Sequence, residues 1–324
     1  MTTLTPAPAP ASDPRPTSRR RRRGSPDSQA VGRHRNPLSR ALGWTAIGLV
    51  ILVTLFPFYW MLRTALSNNR AMFSEPLSLL PVDPTLGPIQ RVLGLQSTAD
   101  ALAEGGSVGD INFTQYLINS IIVCTLITVF QVLLSAMAAY AFSLLEWRGR
   151  DAVFGVFLVA LLVPGMFTLL PNFLLVRDLG LLNSYLGIAL PAMFFSPFVV
   201  FFLRQFFLGV NRSFIEAAII DGAGQWRIFS RIALPIVMPQ IITIAILQFI
   251  FYWNDYLWPL LIGQTEESTL LTVGLGIFRS QTPQGSPDWA GLMAGSLIAA
   301  IPIFILVLVF GRRIVGSIQS SGVK

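Results

Sequence analysis

Six long stretches of this 324-residue chain carry no charged side chain, and they restrict the possible folds more than any other feature. Each is longer than the roughly 20 apolar residues that a helix needs to cross about 30 Å of hydrocarbon. Backbone groups in lipid must be paired within the chain, and barrel strands need only about 9–11 residues, so these runs predict helices. The stretches cover residues 41–62, 111–145, 152–176, 179–203, 232–254 and 289–311.

The overall composition agrees with a polytopic, all-α integral membrane protein. Charged residues make up 12% of the chain, about half of the roughly 25% that is usual for soluble domains, and the mean hydropathy is +0.64. We predict a transmembrane domain over residues 39–324. Its six helices are expected at about 41–62, 117–143, 152–174, 184–203, 236–260 and 289–311.

The first 38 residues differ from the rest of the chain. They are rich in Pro, Ser and Arg and include the run Arg19 to Arg23, with few apolar side chains to bury. We predict a disordered cytoplasmic tail whose arginines contact anionic membrane lipid. A nucleic-acid patch is the other interpretation of such a run. We favour the lipid and expect no nucleic-acid partner.

The basic residues predict the orientation in the membrane, because cytoplasmic loops carry an excess of Arg and Lys. With six crossings, 18 of the 23 basic residues fall on the side that holds both termini. Both termini are therefore predicted to be cytoplasmic. The segment after the first span and the loop over 263–288 would then be external, the latter with a short helix near 270–278. The five basic residues on the external side are Arg63, Arg70, Arg91, Arg177 and Arg279.

Three residue counts exclude several kinds of chemistry. The chain has one Cys (Cys124) and one His (His34), so neither a Cys cluster for metal nor a catalytic triad within the membrane can be built. Its one Lys is Lys324, the last residue. A phosphate-binding Walker A loop needs a Lys before a helix. We therefore predict no catalytic site, no metal site and no cofactor bound by this chain.

A polar segment between the fourth and fifth apolar runs carries a spaced pattern. It reads Glu-Ala-Ala at 216–218, Gly222 after three residues, and Ile-x-Leu-Pro at 232–235 after nine more. Ser213 and Glu216 form a capping-box pattern, which predicts that Ser213 caps a helix. Gly222 predicts the end of that helix, and a second short helix is predicted over about 225–232. Pro235 is expected where the next membrane helix begins.

Together these residues resemble a carbohydrate-type ABC-importer permease, similar to the smaller membrane subunit of maltose-type systems. The resemblance covers residues 41–324. Supporting matches are Asn119-Ser120, the Ala-Ala-Tyr-Ala-Phe of 138–142, the Trp-Asn-Asp-Tyr of 253–256 and Gly311-Arg312-Arg313. The residues that match the family's loop motif are Glu216, Ala217, Ala218, Asp221, Gly222, Ala223, Phe229, Ile232, Leu234 and Pro235.

The resemblance implies a type I ABC-importer architecture in the bacterial plasma membrane. The loop over 208–235 would be a coupling loop that docks on an ATP-binding subunit. The implied partners are a second homologous permease, two ATP-binding subunits that hold ATP and Mg²⁺, and an extracytoplasmic substrate-binding protein. The chain would be the translocation subunit for a sugar or sugar-like solute. Glycerol phosphates, monosaccharides and oligosaccharides fit the pattern equally, and the solute site could lie in this chain or in the partner permease.

A second candidate site surrounds Asp255 in the fifth predicted span, 236–260, beside Trp253, Asn254 and Tyr256. An ionisable residue in a membrane helix usually faces a cavity or a partner, and aromatic and polar groups together suit a sugar. These four residues are therefore candidates for a substrate path. An aromatic belt at the outer membrane interface explains the same residues. A secondary transporter that uses Asp255 is the alternative function, but it leaves the loop pattern unexplained.

Overall fold

The computed structural model describes residues 37–107, 112–280 and 286–320, so the predicted disordered tail lies almost wholly outside the described residues. The described residues form helices and turns, with one isolated bridge between Ser67 and Pro84. The α-helices, in chain order, are α1 (Pro37–Ala65), α2 (Gly87–Val92), α3 (Thr98–Ala103), α4 (Phe113–Ser143), α5 (Arg150–Ala160), α6 (Gly165–Asp178), α7 (Tyr185–Ala189), α8 (Pro197–Leu208), α9 (Arg212–Ile220), α10 (Gln225–Ile228), α11 (Leu234–Ile236), α12 (Met238–Trp253), α13 (Leu257–Ile262), α14 (Leu271–Ser280) and α15 (Trp289–Ser320).

The chain divides into two compact units at Thr54, inside α1. The first unit is represented by the beginning of α1, whose large apolar side chains between Leu42 and Val53 are exposed. Exposed apolar side chains along a helix of this length suit contact with lipid. The second unit, from Leu55 onward, contains the candidate sites described below.

Three helices in the described residues are long and apolar enough to cross a membrane without a break. They are Ala41–Ala65 in α1, the whole of α4, and Trp289–Gly311 in α15. Three further crossings are possible if each of three bent helix pairs is one span. The pairs are α5 with α6 (bent by 95°), α8 with α9 (78°), and Gln225–Ile236 with α12 (78°).

The expectation that every charge-free run is one continuous helix is therefore wrong for the third, fourth and fifth runs. The third run breaks between α5 and α6, where Pro164 precedes α6. The fourth run contains α7, a non-helical link over residues 190–196, and the start of α8. The fifth run bends by 78° at Val237, before α12, and the helix predicted over 236–260 is interrupted at 254–256, between α12 and α13. By contrast, the short helix predicted near 270–278 is confirmed as α14.

Helix α4 lies at the centre of the second unit and packs against α8 and α12. Near its C-terminal end, Ala139, Tyr140 and Phe142 belong to an apolar cluster with α8, α9 and α10. Near its N-terminal end, Phe113 and Tyr116 belong to another cluster with α12, α14 and α15. One long helix thus connects the 208–235 segment to the segment that follows α13.

A buried ion pair holds the segment between α1 and α4 against the start of α15. The Arg91 guanidinium lies 2.8 Å from Asp288 and 3.5 Å from Glu104, and the Asp288 side chain is fully buried. Asp288 also accepts hydrogen bonds from the backbone N–H groups of Ser107 and Gly291. A buried charge is tolerated only with such partners. These contacts order the segment between the first two long helices.

Candidate functional site

The 208–235 segment begins with a helix that is capped two residues earlier than the sequence predicts. The Asn211 side chain accepts a hydrogen bond from the backbone N–H of Ser213 at 3.0 Å, so Asn211 is the N-cap of α9. Ser213 is already the second residue of the helix, so the predicted capping box of Ser213 and Glu216 is wrong. Asn is as good an N-cap as Ser, and the chain turns into the helix at Asn211.

Helix α9 ends just before Gly222, as the sequence predicts. Gly222 has a φ of +77°, a conformation that Gly adopts with little strain. Its N–H donates to the carbonyl of Ile219, and the N–H of Ala223 donates to the carbonyl of Ala218 at 2.9 Å. This pair of bonds is the Schellman arrangement that closes many helices. Gly222 therefore sets the direction in which the chain leaves α9.

Helix α9 has one face on the protein and one face free. Ile215 and Ala218 are buried in the cluster at the C-terminal end of α4. Glu216, Ala217 and Asp221 are exposed. The exposed surface of the segment also carries large apolar side chains, which are Phe214 (57%), Ile219 (52%), Ile220 (86%) and Trp226 (65%). An apolar patch with charges around it is typical of a surface that binds another protein.

The second half of the segment is attached to α4 through aromatic side chains. The ring of Phe229 lies 5.2 Å from that of Tyr140 and 5.5 Å from that of Trp226. The Tyr140 hydroxyl donates to the Gln225 side chain at 2.9 Å. Tyr140 and Gln225 thus join the tyrosine of the 138–142 pattern to the loop, a link that sequence spacing alone does not reveal.

The remaining residues of the loop pattern lie on the same cluster. Ala223, Ile232 and Leu234 are partly buried against it, whereas Pro235 is exposed. The second short helix predicted over 225–232 is α10 in its first half, and a π-helical turn over Phe229–Ala233 replaces its second half. The long helix begins at Met238 with Pro239 in its first turn, so the placement of Pro235 at the start of that helix is wrong.

A cavity of about 480 Å³ lies between α4, α6, the link before α8 and the break after α12. Its polar lining comes from Gln131, Thr168, Asn172, Tyr252 and Asp255, together with Ser196. A volume of this size is within the range of roughly 300–1,000 Å³ that is usual for small-molecule sites. The cavity is therefore a candidate solute site.

The structure separates the four residues predicted for a substrate path. Asp255 lines the cavity. Trp253 is buried on the other side of the helix, where its indole N–H donates to the carbonyl of Ala299 at 3.2 Å. Asn254 and Tyr256 are exposed and are not among the lining residues. Residues 254–256 lie in the break between α12 and α13, so helical spacing does not set their directions; Asp255 shares the cavity wall with Tyr252, at the end of α12.

The broken backbone around the cavity is paired by side chains. In the link before α8, the carbonyl of Ala192 accepts from Gln131 at 2.6 Å, and the N–H of Ser196 donates to the hydroxyl of Ser135 at 3.1 Å. The carbonyl of Ile188, in α7, accepts from the indole of Trp258 at 3.0 Å. Non-helical backbone at membrane depth is tolerated where it is paired and lines a cavity.

Two further residues of the cavity wall could have been found in the sequence. Gln131 lies in the middle of the second apolar run and Asn172 lies in the third. Polar side chains in such runs commonly face a cavity or a partner helix. Their signal is weak in the sequence because neither is charged. The structure brings them together with Asp255 from three different helical segments.

Bent helices around a cavity with several polar lining residues, and an apolar patch exposed on the 208–235 segment, suit a membrane transport subunit that acts with another protein. The chain belongs to the family of binding-protein-dependent transport system inner membrane components, whose match covers residues 131–319. It is therefore a multi-pass component of a bacterial plasma membrane and a transporter subunit rather than an enzyme. The family resemblance and the transport function predicted from the sequence are confirmed. Membership of a family of binding-protein-dependent transport systems also disfavours the alternative that the chain is a secondary transporter.

Curated relatives and solved structures extend the match to most of the chain. A diacetylchitobiose uptake system permease protein of Streptomyces coelicolor is 30% identical over 269 residues, which cover 83% of each chain. An sn-glycerol-3-phosphate transport system permease protein of Salmonella typhi is 32% identical over 86% of this chain and 95% of its own length. A crystal structure of a bacterial ABC transporter involved in alginate import matches with a TM-score of 0.69, at 25% identity over 85% of this chain and 96% of that chain. The all-α permease fold is thereby confirmed.

Proposed function

We propose that this chain imports a sugar or sugar-like solute and that its 208–235 segment couples transport to ATP hydrolysis on a separate subunit. Both termini and the segment would face the cytoplasm. The observation that carries the proposal is the form of α9, which is buried on one face against α4 and exposes an apolar patch on the other. A rigid helix with a free apolar face can transmit the movement of a docked partner to α4.

The proposed assembly contains four further chains. A second homologous permease would complete the path, two ATP-binding subunits would hold ATP and Mg²⁺, and a binding protein outside would deliver the solute. Closure of the ATP-binding subunits around nucleotide would favour the outward-facing state, because only a difference in binding energy between two states can shift their populations. The relatives that transport diacetylchitobiose and glycerol 3-phosphate support a small hydroxylated solute.

A photo-cross-link from the exposed face of α9 tests this proposal. Cys124 is the one cysteine of the chain, so Cys124→Ala gives a cysteine-free background. Ala217→Cys, in the motif and exposed, would be labelled with benzophenone maleimide and irradiated in native membranes. We expect a cross-linked product that also carries label from 8-azido-ATP, which identifies an ATP-binding subunit.

The matched control is Leu95→Cys in the same background. Leu95 is 74% exposed and lies between α2 and α3, on the side predicted to be external. It should give no azido-ATP-labelled product. Labelled product from Leu95→Cys, or none from Ala217→Cys, would overturn the proposed orientation or the proposed docking face.

A further inference from the structure

We propose that the cavity beside Asp255 binds the hydroxyl-rich part of a neutral solute and excludes phosphorylated and acidic ones. This rests on the proposed function and makes the substrate class narrower. The proteins to which the chain is similar include an sn-glycerol-3-phosphate permease and a transporter of the acidic polysaccharide alginate, both with anionic cargo by description. The lining of the cavity in this chain instead suits a neutral solute.

The acidic group of the cavity is Asp255. Among the lining residues that the structure describes, it is the one acidic side chain, and none is Arg or Lys. A phosphate or carboxylate in this cavity would therefore lie beside a carboxyl group without a cation to neutralise its own charge.

The hydrogen-bonding groups of the cavity suit hydroxyl groups. Both N–H groups of the Gln131 amide are used, since they donate to Ala192 and Tyr252, and its oxygen accepts from Gln248. The Tyr252 hydroxyl accepts that bond and keeps its own proton to donate. The Asn172 side chain has no hydrogen-bond partner among the described residues. Tyr252, Asn172 and Asp255 thus offer one hydroxyl, one amide and one carboxylate to a solute.

The apolar part of the wall suits the faces of a sugar ring. Trp258, Phe195 and Phe251 line the cavity. The indole N–H of Trp258 is already bonded to the carbonyl of Ile188, so the side chain presents only its apolar surface. Apolar surface with a few polar groups placed around it is the usual composition of a solute site. A neutral saccharide meets both requirements at once.

Charged thiol reagents measure the electrostatics of this cavity directly. In the Cys124→Ala background, Thr168→Cys places a thiol in the cavity wall, and Leu95→Cys provides the exposed reference. The rates of reaction with a trimethylammonium and with a sulfonate methanethiosulfonate would be measured on the purified complex. The ratio of the two rates cancels the reactivity of each thiol.

We expect the cationic-to-anionic ratio at Thr168→Cys to exceed that at Leu95→Cys on the order of tenfold, because clefts of one charge concentrate the opposite ion. Asp255→Asn keeps the size of the side chain and should bring the ratio to that of the reference. N,N′-diacetylchitobiose or cellobiose should slow the labelling of Thr168→Cys, and sn-glycerol 3-phosphate should not.

The inference would be overturned by an unbiased ratio at Thr168→Cys, by a bias that survives Asp255→Asn, or by labelling that neither neutral disaccharide slows. Failure to label Thr168→Cys at all would show that solutes do not reach the cavity and would also overturn the inference. The cross-link from Ala217→Cys needs no solute. If that cross-link forms while the labelling fails, the inference alone is lost and the coupling function stands.

Discussion

The two ends of α4 are built by different physical means. At the N-terminal end, the polar side chains of Asn119 and Ser120 bind the backbone of the segment that follows α13. At the C-terminal end, the ring of Tyr140 packs against apolar side chains under α9 and α10. The first end is closed by hydrogen bonds within the chain. The second leaves an apolar patch exposed, which is what a subunit that docks on another protein requires.

Among substitutions that remove hydrogen bonds, the largest expected effect is at the hydrogen-bonded end. Asn119 is fully buried, donates to the carbonyls of Glu267 and Thr269, and accepts from Gln115 and Tyr185. Asn119→Leu leaves these groups unpaired and should lower the stability of the folded protein by roughly 3 kcal/mol. The loss should appear as a lower unfolding temperature in detergent.

Asn254→Ala is the matched control for that variant. Asn254 is exposed, and its amide donates only to the carbonyl of Ile250 one turn earlier in the same helix. Its removal should change stability by less than about 0.5 kcal/mol. Equal unfolding temperatures for the two variants would contradict the view that polar contacts hold the N-terminal end of α4.

A smaller effect is expected from Tyr140→Phe at the packed end. The change removes one hydrogen bond, to the exposed Gln225, and keeps the ring between Phe207 and Phe229. It should reduce stability by about 1 kcal/mol or less. Tyr140→Ala removes the ring and should cost about 3–5 kcal/mol. If both variants lose the same amount, the hydrogen bond rather than the packing holds this end.

Continuous helices could be predicted from the sequence, but breaks could not. The charge-free runs of α1, α4 and α15 are long enough to require helices. Proline does not mark the breaks, because Pro57 and Pro302 lie inside continuous helices whereas Pro164 precedes α6 at a break. The link before α8 is stable because Gln131 and Ser135, distant in sequence, pair its backbone. These hydrogen bonds are tertiary contacts, and the local sequence pattern does not show them.

The candidate sites could be predicted only where local sequence determines the structure. Gly222 follows from local backbone geometry, which only Gly adopts easily, and its role at the end of α9 is confirmed. The prediction that Ser213 caps α9 was wrong, because Asn211, two residues earlier, is the N-cap. Of the four residues predicted for a substrate path, 253–256, only Asp255 lines the cavity. The direction of each side chain there depends on where the helix ends, and the sequence does not show that position.

A pair of proline substitutions tests whether α9 and the turn at Gly222 transmit the movement of a docked ATP-binding subunit. Gly222→Pro requires a φ near −65° in place of +77° and removes the N–H that bonds to Ile219. Gly224→Pro is the control, because Gly224 already has a φ of −69° and an added Cβ would contact nothing within 4 Å. Stimulation of ATP hydrolysis by the binding protein would be measured on the purified complexes. We predict that Gly222→Pro loses this stimulation while the complex remains assembled, and that Gly224→Pro retains it; normal stimulation in Gly222→Pro would contradict the account.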